Sequence, residues 1–489
     1  MLKNILGGLF NNMLTNVRDW LDKMLTTKDI AKALNIEVSI DTDMWNAINL
    51  WSRMYRNIPP WKVKQQDYIK TLNLPAVISS KIAGNVTVEM SVKASGSPRA
   101  VYLETQFKKV LTNIQHIIEK GNALGGIIIK PYVRLDQIVF DYVMAHEFYP
   151  TSFDSDGNIT GCVFLDRKKI GNFWFTRLEY HQMGANNTYR VYNAAFRSSQ
   201  PDVLGGSVPL NSVEDWKALK DEVTIMNVTS PLFGYFKVPI ANTIDMSSPL
   251  GMSCFAKSVD LIEQADRLWS DFLWEFESGK RAMYVDPIAM PADVDGNPFL
   301  PNKRLYRQIA SASTIGDKNK MFEEWSPTLR EQSYITALDT ILKRIELNSG
   351  LAFGSLVTDP DRVEMTATEI KTSRQETYLT ITNTQKNVEN AIVSTFYAMD
   401  VYATLYGLAP DGEYELMLEF DDSVVSDRDT QFQQDLQVST SGKMPDYIFL
   451  MRNYGLSKAE AKRWVSEKQE ETSDAMNLMD KGFDEDQEE

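Results

Sequence analysis

The chain has 489 residues, too many for one hydrophobic core and enough for about three domains. With 43% hydrophobic, 24% charged and 11% aromatic residues, 25 glycines and 19 prolines, it is not disordered, collagen-like or low in complexity. Its 66 acids against 51 lysines and arginines leave a formal charge of −15, which excludes a free-standing DNA-binding module dependent on a basic surface.

At the N-terminus, Ile5, Leu6, Phe10, Met13, Leu14, Val17, Trp20 and Leu21 recur at helical spacing with polar residues between them. They predict an amphipathic helix rather than a signal peptide, and its nearly balanced charge favours docking on protein over a membrane surface. No apolar run reaches the roughly 20 residues that span a bilayer. Residues 40–120 read as helices, from the three- and four-residue steps of Trp45, Ile48, Leu50, Trp51 and Tyr55. One of them, over about 99–121, should take Gly121 as its C-cap. The period then changes to two, predicting strands near 124–133, 136–145, 159–166, 172–181 and 188–194, and later 222–228 and 233–237. This is an antiparallel region without the βαβ alternation of a nucleotide-binding sheet.

After Ser247-Ser248-Pro249 a helix is predicted over 251–278, with Phe255, Val259, Ile262, Leu268, Trp269, Phe272, Leu273 and Phe276 as its apolar positions. Its length would be about 42 Å, and Gly279 ends it. Residues 280–327 form a compact insert with Pro287, Pro291, Pro298 and Pro301 and a short strand, Arg281 to Val285. A second helix, 328–348, carries Tyr334, Ile335, Leu338, Ile341, Leu342 and Ile345 and stops at Gly350. A loop over 351–365 follows. Thr366 and Glu369 then form a capping box that opens a third long helix toward 406. A strand at 413–420 and helices opened by Ser426/Asp429 and Ser457/Glu460 complete the chain. Residues 466–489 hold ten acids and two lysines, so this tail carries −8 and the remaining 465 residues only −7.

The chemistry-bearing motifs are missing: no P-loop, H-E-x-x-H, G-x-S-x-G, paired C-x-x-C or G-x-G-x-x-G is found. Cys162 and Cys254 read as buried free thiols, and three histidines leave little for a zinc site or a His-based triad. The D-x-D-G-N segments at 154–158 and 293–297 have Leu165 and Arg304 where a calcium loop needs its bidentate Glu, so they read as tight turns. Asp421, Asp422, Asp427 and Asp429 offer hard oxygens for a divalent cation, but helix capping and a solvated face account for them better. No cofactor, no resident metal and no enzyme activity are expected.

Two long helices around a small insert, followed by a long polar-faced helix, would leave apolar seams uncovered in a monomer. Side by side in a closed ring they bury the seams and turn polar faces toward a channel. Several segments carry a family resemblance. They are Trp45, Trp51, Tyr55 and Trp61; Thr71-Leu72-Asn73-Leu74; Leu124-Gly125-Gly126 with Lys130-Pro131-Tyr132; and Thr176 to His181 followed by Tyr189 to Asn193. Further along come Phe233 to Lys237 with Asn242; Ser248 to Ser253 leading into Glu275 and Gly279-Lys280-Arg281; Thr366 to Glu369; and Glu419 to Ser423. In order and spacing, over almost the whole chain, they resemble the portal proteins of tailed bacteriophages, particularly of phages infecting Gram-positive bacteria.

The resemblance implies an α+β portal fold assembled as a ring, typically of 12 subunits in the virion. Its parts would be a wing (1–250), a first stem helix (251–279), a clip (280–327), a second stem helix (328–348) and a tunnel loop (349–365). A long helix with a returning wing segment (366–442) and a crown with the acidic tail (443–489) would follow. It implies a place at one capsid vertex after assembly in the host cytoplasm. Implied partners are the terminase large subunit, a head-completion adaptor, capsid and scaffolding proteins, and double-stranded DNA passing non-specifically, with no membrane. Because a conduit must not grip phosphate, acids or neutral groups should line most of the bore. Arg330, Lys343 and Arg344 are candidates for a few cationic rings on the second stem helix. Ser355, Asp359, Asp361 and Arg362 are candidates for the tunnel loop. The competing readings are a divalent-metal-dependent enzyme using Asp421, Asp422, Asp427 and Asp429, and a peripheral membrane protein using the N-terminal helix.

Overall fold

The computed structural model describes residues 27–62, 68–88, 90–285, 306–308, 322–357, 367–420, 428–442, 444–454 and 460–467. The chain divides into two compact units, residues 1–420 and 421–489. The predicted N-terminal helix over 5–21 lies outside the described residues.

The first unit opens with α1 (Thr27–Leu34), α2 (Thr42–Tyr55) and α3 (Leu74–Thr87), the strand β1 (Ser91–Ser95), then α4 (Pro98–Leu111) and α5 (Ile114–Leu124). The single helix expected over 99–121 is therefore two, and Gly121 is not its cap. Gly121 stays inside α5 because a Cβ there would sit 2.6 Å from the Phe236 ring. The cap is Gly125, at φ +89°, a left-handed conformation that side chains other than glycine seldom adopt.

The strand-rich stretch forms two sheets rather than one. β2 (Gly126–Arg134), β3 (Gln137–Met144) and β10 (Gly234–Lys237) pair in the order β10-β2-β3. β4 (Phe148–Phe153), β5 (Ile159–Ile170), β6 (Phe173–Met183), β7 (Thr188–Ser198) and β8 (Gly206–Val208) form the second, with β9 (Glu222–Met226) also on β7. Every pair in both sheets is antiparallel, as the alternating pattern requires. The 154–158 segment is a tight turn between β4 and β5: Asp154 Oδ1 accepts the N–H of Asp156 (3.0 Å) and of Asn158 (2.8 Å).

After β10 the chain forms α6 (Val259–Ser278), a small sheet of β11 (Ala282–Val285), β12 (Tyr306–Gln308) and β13 (Phe322–Trp325) in the order β12-β11-β13, and α7 (Glu331–Asn348). The helix expected over 251–278 is shorter: residues 256–258 make one 3-10 turn and α6 has 20 residues, about 30 Å. Cys254 N–H bonds the carbonyl of Asn122 at 2.9 Å, and Phe255 is fully buried, so these residues belong to the body of the unit. The long α8 (Ala367–Leu405, 39 residues) packs on β10 and β2, with Phe396 against Phe107 at 4.7 Å between ring centroids. β14 (Glu415–Glu419) returns to pair with β1. Arg99, 1% exposed, ties this return together: it bonds Asp400 Oδ1 (3.1 Å), Asp411 Oδ1 (2.6 Å) and the carbonyls of Asp400, Ala409 and Pro410.

The second unit contains α9 (Arg428–Thr440), α10 (Asp446–Tyr454) and a helical stretch over 460–467. Phe432 packs on Phe449 at 5.5 Å, and Asp435 accepts from Arg452 (3.3 Å) and Asn453 (3.2 Å).

Candidate functional site: the α6–α7 hairpin and its junctions

An amphipathic helix needs a partner for its apolar stripe. α6 and α7 pack against each other as an antiparallel hairpin, with the small sheet at its tip. At the body end, α6 is bolted to the loops around residues 61–72. Asp266, 2% exposed, accepts the Trp61 indole N–H on Oδ2 (2.9 Å) and the Leu72 N–H on Oδ1 (2.8 Å). One turn on, Ser270 Oγ accepts the Lys70 N–H (2.8 Å) and donates to the Asp266 carbonyl (2.6 Å). Burial pushes the Asp266 carboxyl above its ordinary value, against the opposing pull of those donors.

At the same end, α7 finishes beside the start of α6, where Asn348 Nδ2 donates to the Lys257 carbonyl (3.4 Å). Gly350, at φ +67°, turns the chain where a Cβ would meet Thr380 Oγ1 of α8 at 2.3 Å. Glu346, fully buried, accepts the N–H of Gly354 on Oε2 (3.0 Å) and of Leu356 on Oε1 (2.5 Å).

The tip end is built differently. Arg330 grips Glu275 in a bidentate pair, Nε to Oε1 at 3.0 Å and Nη2 to Oε2 at 2.7 Å, while its own N–H reaches Oε1 at 3.2 Å. Those hydrogen bonds hold the Glu275 carboxyl below the usual carboxylate range. Along α6 Trp269 stacks on Phe272 at 5.4 Å and Phe276 meets Phe272 edge-to-face at 4.9 Å, while Phe272 meets Tyr334 of α7 at 6.2 Å. Around them Trp274 is 63% exposed, Phe276 41% and Ile335 42%, so an aromatic surface stands uncovered on one chain.

Of the residues singled out in the sequence, Arg330 is thus ion-paired at the tip, and Lys343 and Arg344 lie exposed on α7. Ser355 is half-buried, its Oγ donating to the Ala352 carbonyl (2.6 Å). Asp359, Asp361, Arg362, Asp421, Asp422 and Asp427 lie outside the described residues, as does the side chain of Asp429. Sequence reasoning missed Asp266, Ser270 and Glu346, yet a signal was present. The buried positions Ile262, Ala265, Asp266 and Ser270 on α6, and Leu342, Ile345, Glu346 and Ser349 near the end of α7, follow helical spacing. A polar residue on an apolar stripe must find partners.

A second polar region lies between the sheets. A cleft of about 500 Å³ between β3 and the β5–β6 pair is lined by Lys130, Asp141, His146, Arg167, Arg177 and Glu179, among others. Lys130 and Arg177 pair with Glu179 at 2.8 and 3.0 Å. Leu232 N–H donates to the Tyr189 hydroxyl, which leaves that hydroxyl to donate to His181 Nδ1 (2.8 Å) and His181 Nε2–H to bond Glu179 (2.7 Å). Burial alone would raise the Glu179 carboxyl, but Lys130, His181 and Arg177 together hold it well below its ordinary value. These ion pairs and hydrogen bonds brace the strands against one another. Both cysteines are buried, and burial pushes the Cys254 thiol up to about 12. Among the described residues, no group of three or more His, Cys, Asp or Glu could hold a metal ion, and no helix is long and apolar enough to cross a membrane.

A family model described as "Phage portal protein, SPP1 Gp6-like" matches residues 85–474, well over half of the chain. No curated protein matches. Among solved structures, a chain from "Neck of native GTA particle computed with C12 symmetry" is similar at a TM-score of 0.42 and 10% identity, over 81% of this chain and 93% of that one.

Proposed function

The chain belongs to the SPP1 Gp6-like phage portal proteins, and from that premise we propose that it forms a ring at one capsid vertex of the virion. Double-stranded DNA would enter through this ring, driven by the terminase motor, and leave through it at ejection, and head-completion proteins would dock on it. In this reading α6 and α7 are the stem, the small sheet over 280–327 is the clip that meets motor and adaptor, and 349–365 is the tunnel loop. Residues 1–250 with the α8–β14 return form the wing, and 443–489 the crown. The chain itself has no catalytic step to perform.

The observation that carries the ring is the tip of the hairpin. Trp274, Phe276 and Ile335 are all exposed on this helix pair, and repeated copies of the same hairpin on either side would cover them. The charge fits passage rather than binding. A net charge of −15 per subunit and the pairing of Arg330 with Glu275 disfavour tight binding of phosphate. Lys343 and Arg344 remain the candidates for cationic rings.

Light scattering and negative-stain microscopy of the purified full chain test this. Twelve chains of 55.7 kDa would give closed rings of roughly 0.67 MDa, and a central bore would be visible down the axis. A monomer that stays monomeric at every protein and salt concentration overturns the proposal.

A further inference from the structure

Glu346 is the least expected residue of the hairpin. It is fully buried, and among the described residues no cation pairs with it. A buried carboxylate without a cation is costly unless hydrogen bonds replace its water. Here both oxygens are used on one short stretch of chain: Oε2 takes the Gly354 N–H at 3.0 Å and Oε1 the Leu356 N–H at 2.5 Å.

The surroundings turn this clamp into a fixed exit. The chain leaves α7 through Gly350 (φ +67°), turns again at Gly354 (φ +77°), and buries Leu351 and Val357 on either side of the clamped residues. Leu351 N–H also bonds the Glu346 carbonyl at 2.9 Å. Glu346 therefore holds both the start of the turn, through its backbone, and its end, through its side chain. An apolar side chain could fill the space but could not specify the path of residues 354–356.

We propose that Glu346 is a positioning residue: its carboxylate fixes the direction in which the chain leaves the α7–α8 junction, and thereby the placement of the segment that handles DNA. The clamp itself stands on the geometry above; its effect on DNA rests on the portal reading.

The test uses the full chain as assembled rings, with Glu346→Ala and Glu346→Gln, and Thr105→Ala, an exposed position on α4 whose hydroxyl bonds the Val101 carbonyl of its own helix, as the control away from the clamp. Hydrogen exchange of a peptide covering 351–357 reads the clamp. Packaging and retention of DNA in particles carrying each variant read its consequence. Glu346→Ala should raise exchange at Gly354 and Leu356 about tenfold and lower DNA retention severalfold while rings still form. Glu346→Gln, which keeps one acceptor oxygen, should recover part of both, and Thr105→Ala should change neither. Unchanged exchange in Glu346→Ala overturns the clamp. Raised exchange with wild-type packaging and retention leaves the clamp but overturns its role in handling DNA. Failure of the unaltered chain to form rings sinks the portal-ring reading instead.

Discussion

The two ends of the α6–α7 hairpin solve the same problem in opposite ways. At the body end, polar residues on the apolar stripes, Asp266, Ser270 and Glu346, are at most 4% exposed and bond backbone or indole N–H groups, distant in sequence for Asp266 and Ser270 and close for Glu346. At the tip, the ion pair of Arg330 and Glu275 is accessible, and Trp274 shows nearly two-thirds of its surface. At the body end these three side chains are satisfied within one subunit. The tip is complete only when something covers it, so the first should govern folding and the second assembly.

The sharpest way to break that division is to remove the bolt at the body end. Asp266→Ala leaves the buried Trp61 indole N–H and the half-buried Leu72 N–H without acceptors, at a cost of about 2–4 kcal/mol in folding stability. Thermal or denaturant melting of the full chain should show that loss, and a variant that melts like the wild type would mean that α6 is not anchored there. Trp274→Ala tests the other end. With the side chain 63% exposed, the melting of the unassembled chain should stay within about 0.5 kcal/mol. Ring formation should instead need roughly tenfold more protein, since a buried aromatic anchor at an interface is worth more than 1 kcal/mol. Equal loss of folding and assembly would erase the distinction between the ends.

Much of this hairpin was legible in the sequence, for physical reasons that also mark where legibility stops. The bounds of α7 and α8 and the positions of nine of the fourteen strands among the described residues follow from period and capping, which are local. The start of α6 did not follow, because Phe255 continues the helical spacing while burying itself in the body, and spacing does not reveal which neighbour covers an apolar residue. β4 escaped for a similar reason: Pro150 and two register shifts against β5 break its alternation. Gly121 has the look of a cap, yet its lack of a side chain serves the approach of Phe236. The roles of Asp266 and Glu346 depend on residues some 190–205 positions earlier in the chain in one case and eight to ten later in the other. Only the anomaly of an acid on an apolar stripe announces them. Arg99, joined to residues more than 300 positions away, leaves no comparable trace.

The smallest expected effect is also the one that compares both ends with one observable. Burial raises the Asp266 carboxyl above its ordinary 3.8, so the folded chain takes up that proton before the unfolded chain does. Its contribution to stability is present at low pH and is lost as pH rises through the raised value. The Glu275 carboxyl is held below its ordinary 4.5 by Arg330, so its contribution is present above 4.5 and is lost as pH falls through the lowered value. Each acid accepts one backbone N–H that can be followed by hydrogen exchange, Leu72 for Asp266 and Arg330 for Glu275. Corrected for the intrinsic pH dependence of exchange, protection at Arg330 should fall between pH 6 and pH 3 while protection at Leu72 holds or rises. Glu275→Gln should flatten the response at Arg330 alone. If the two amides instead lose protection together in a single step, the ends of the hairpin are one cooperative unit. The separation of a folding end from an assembly end would then fail.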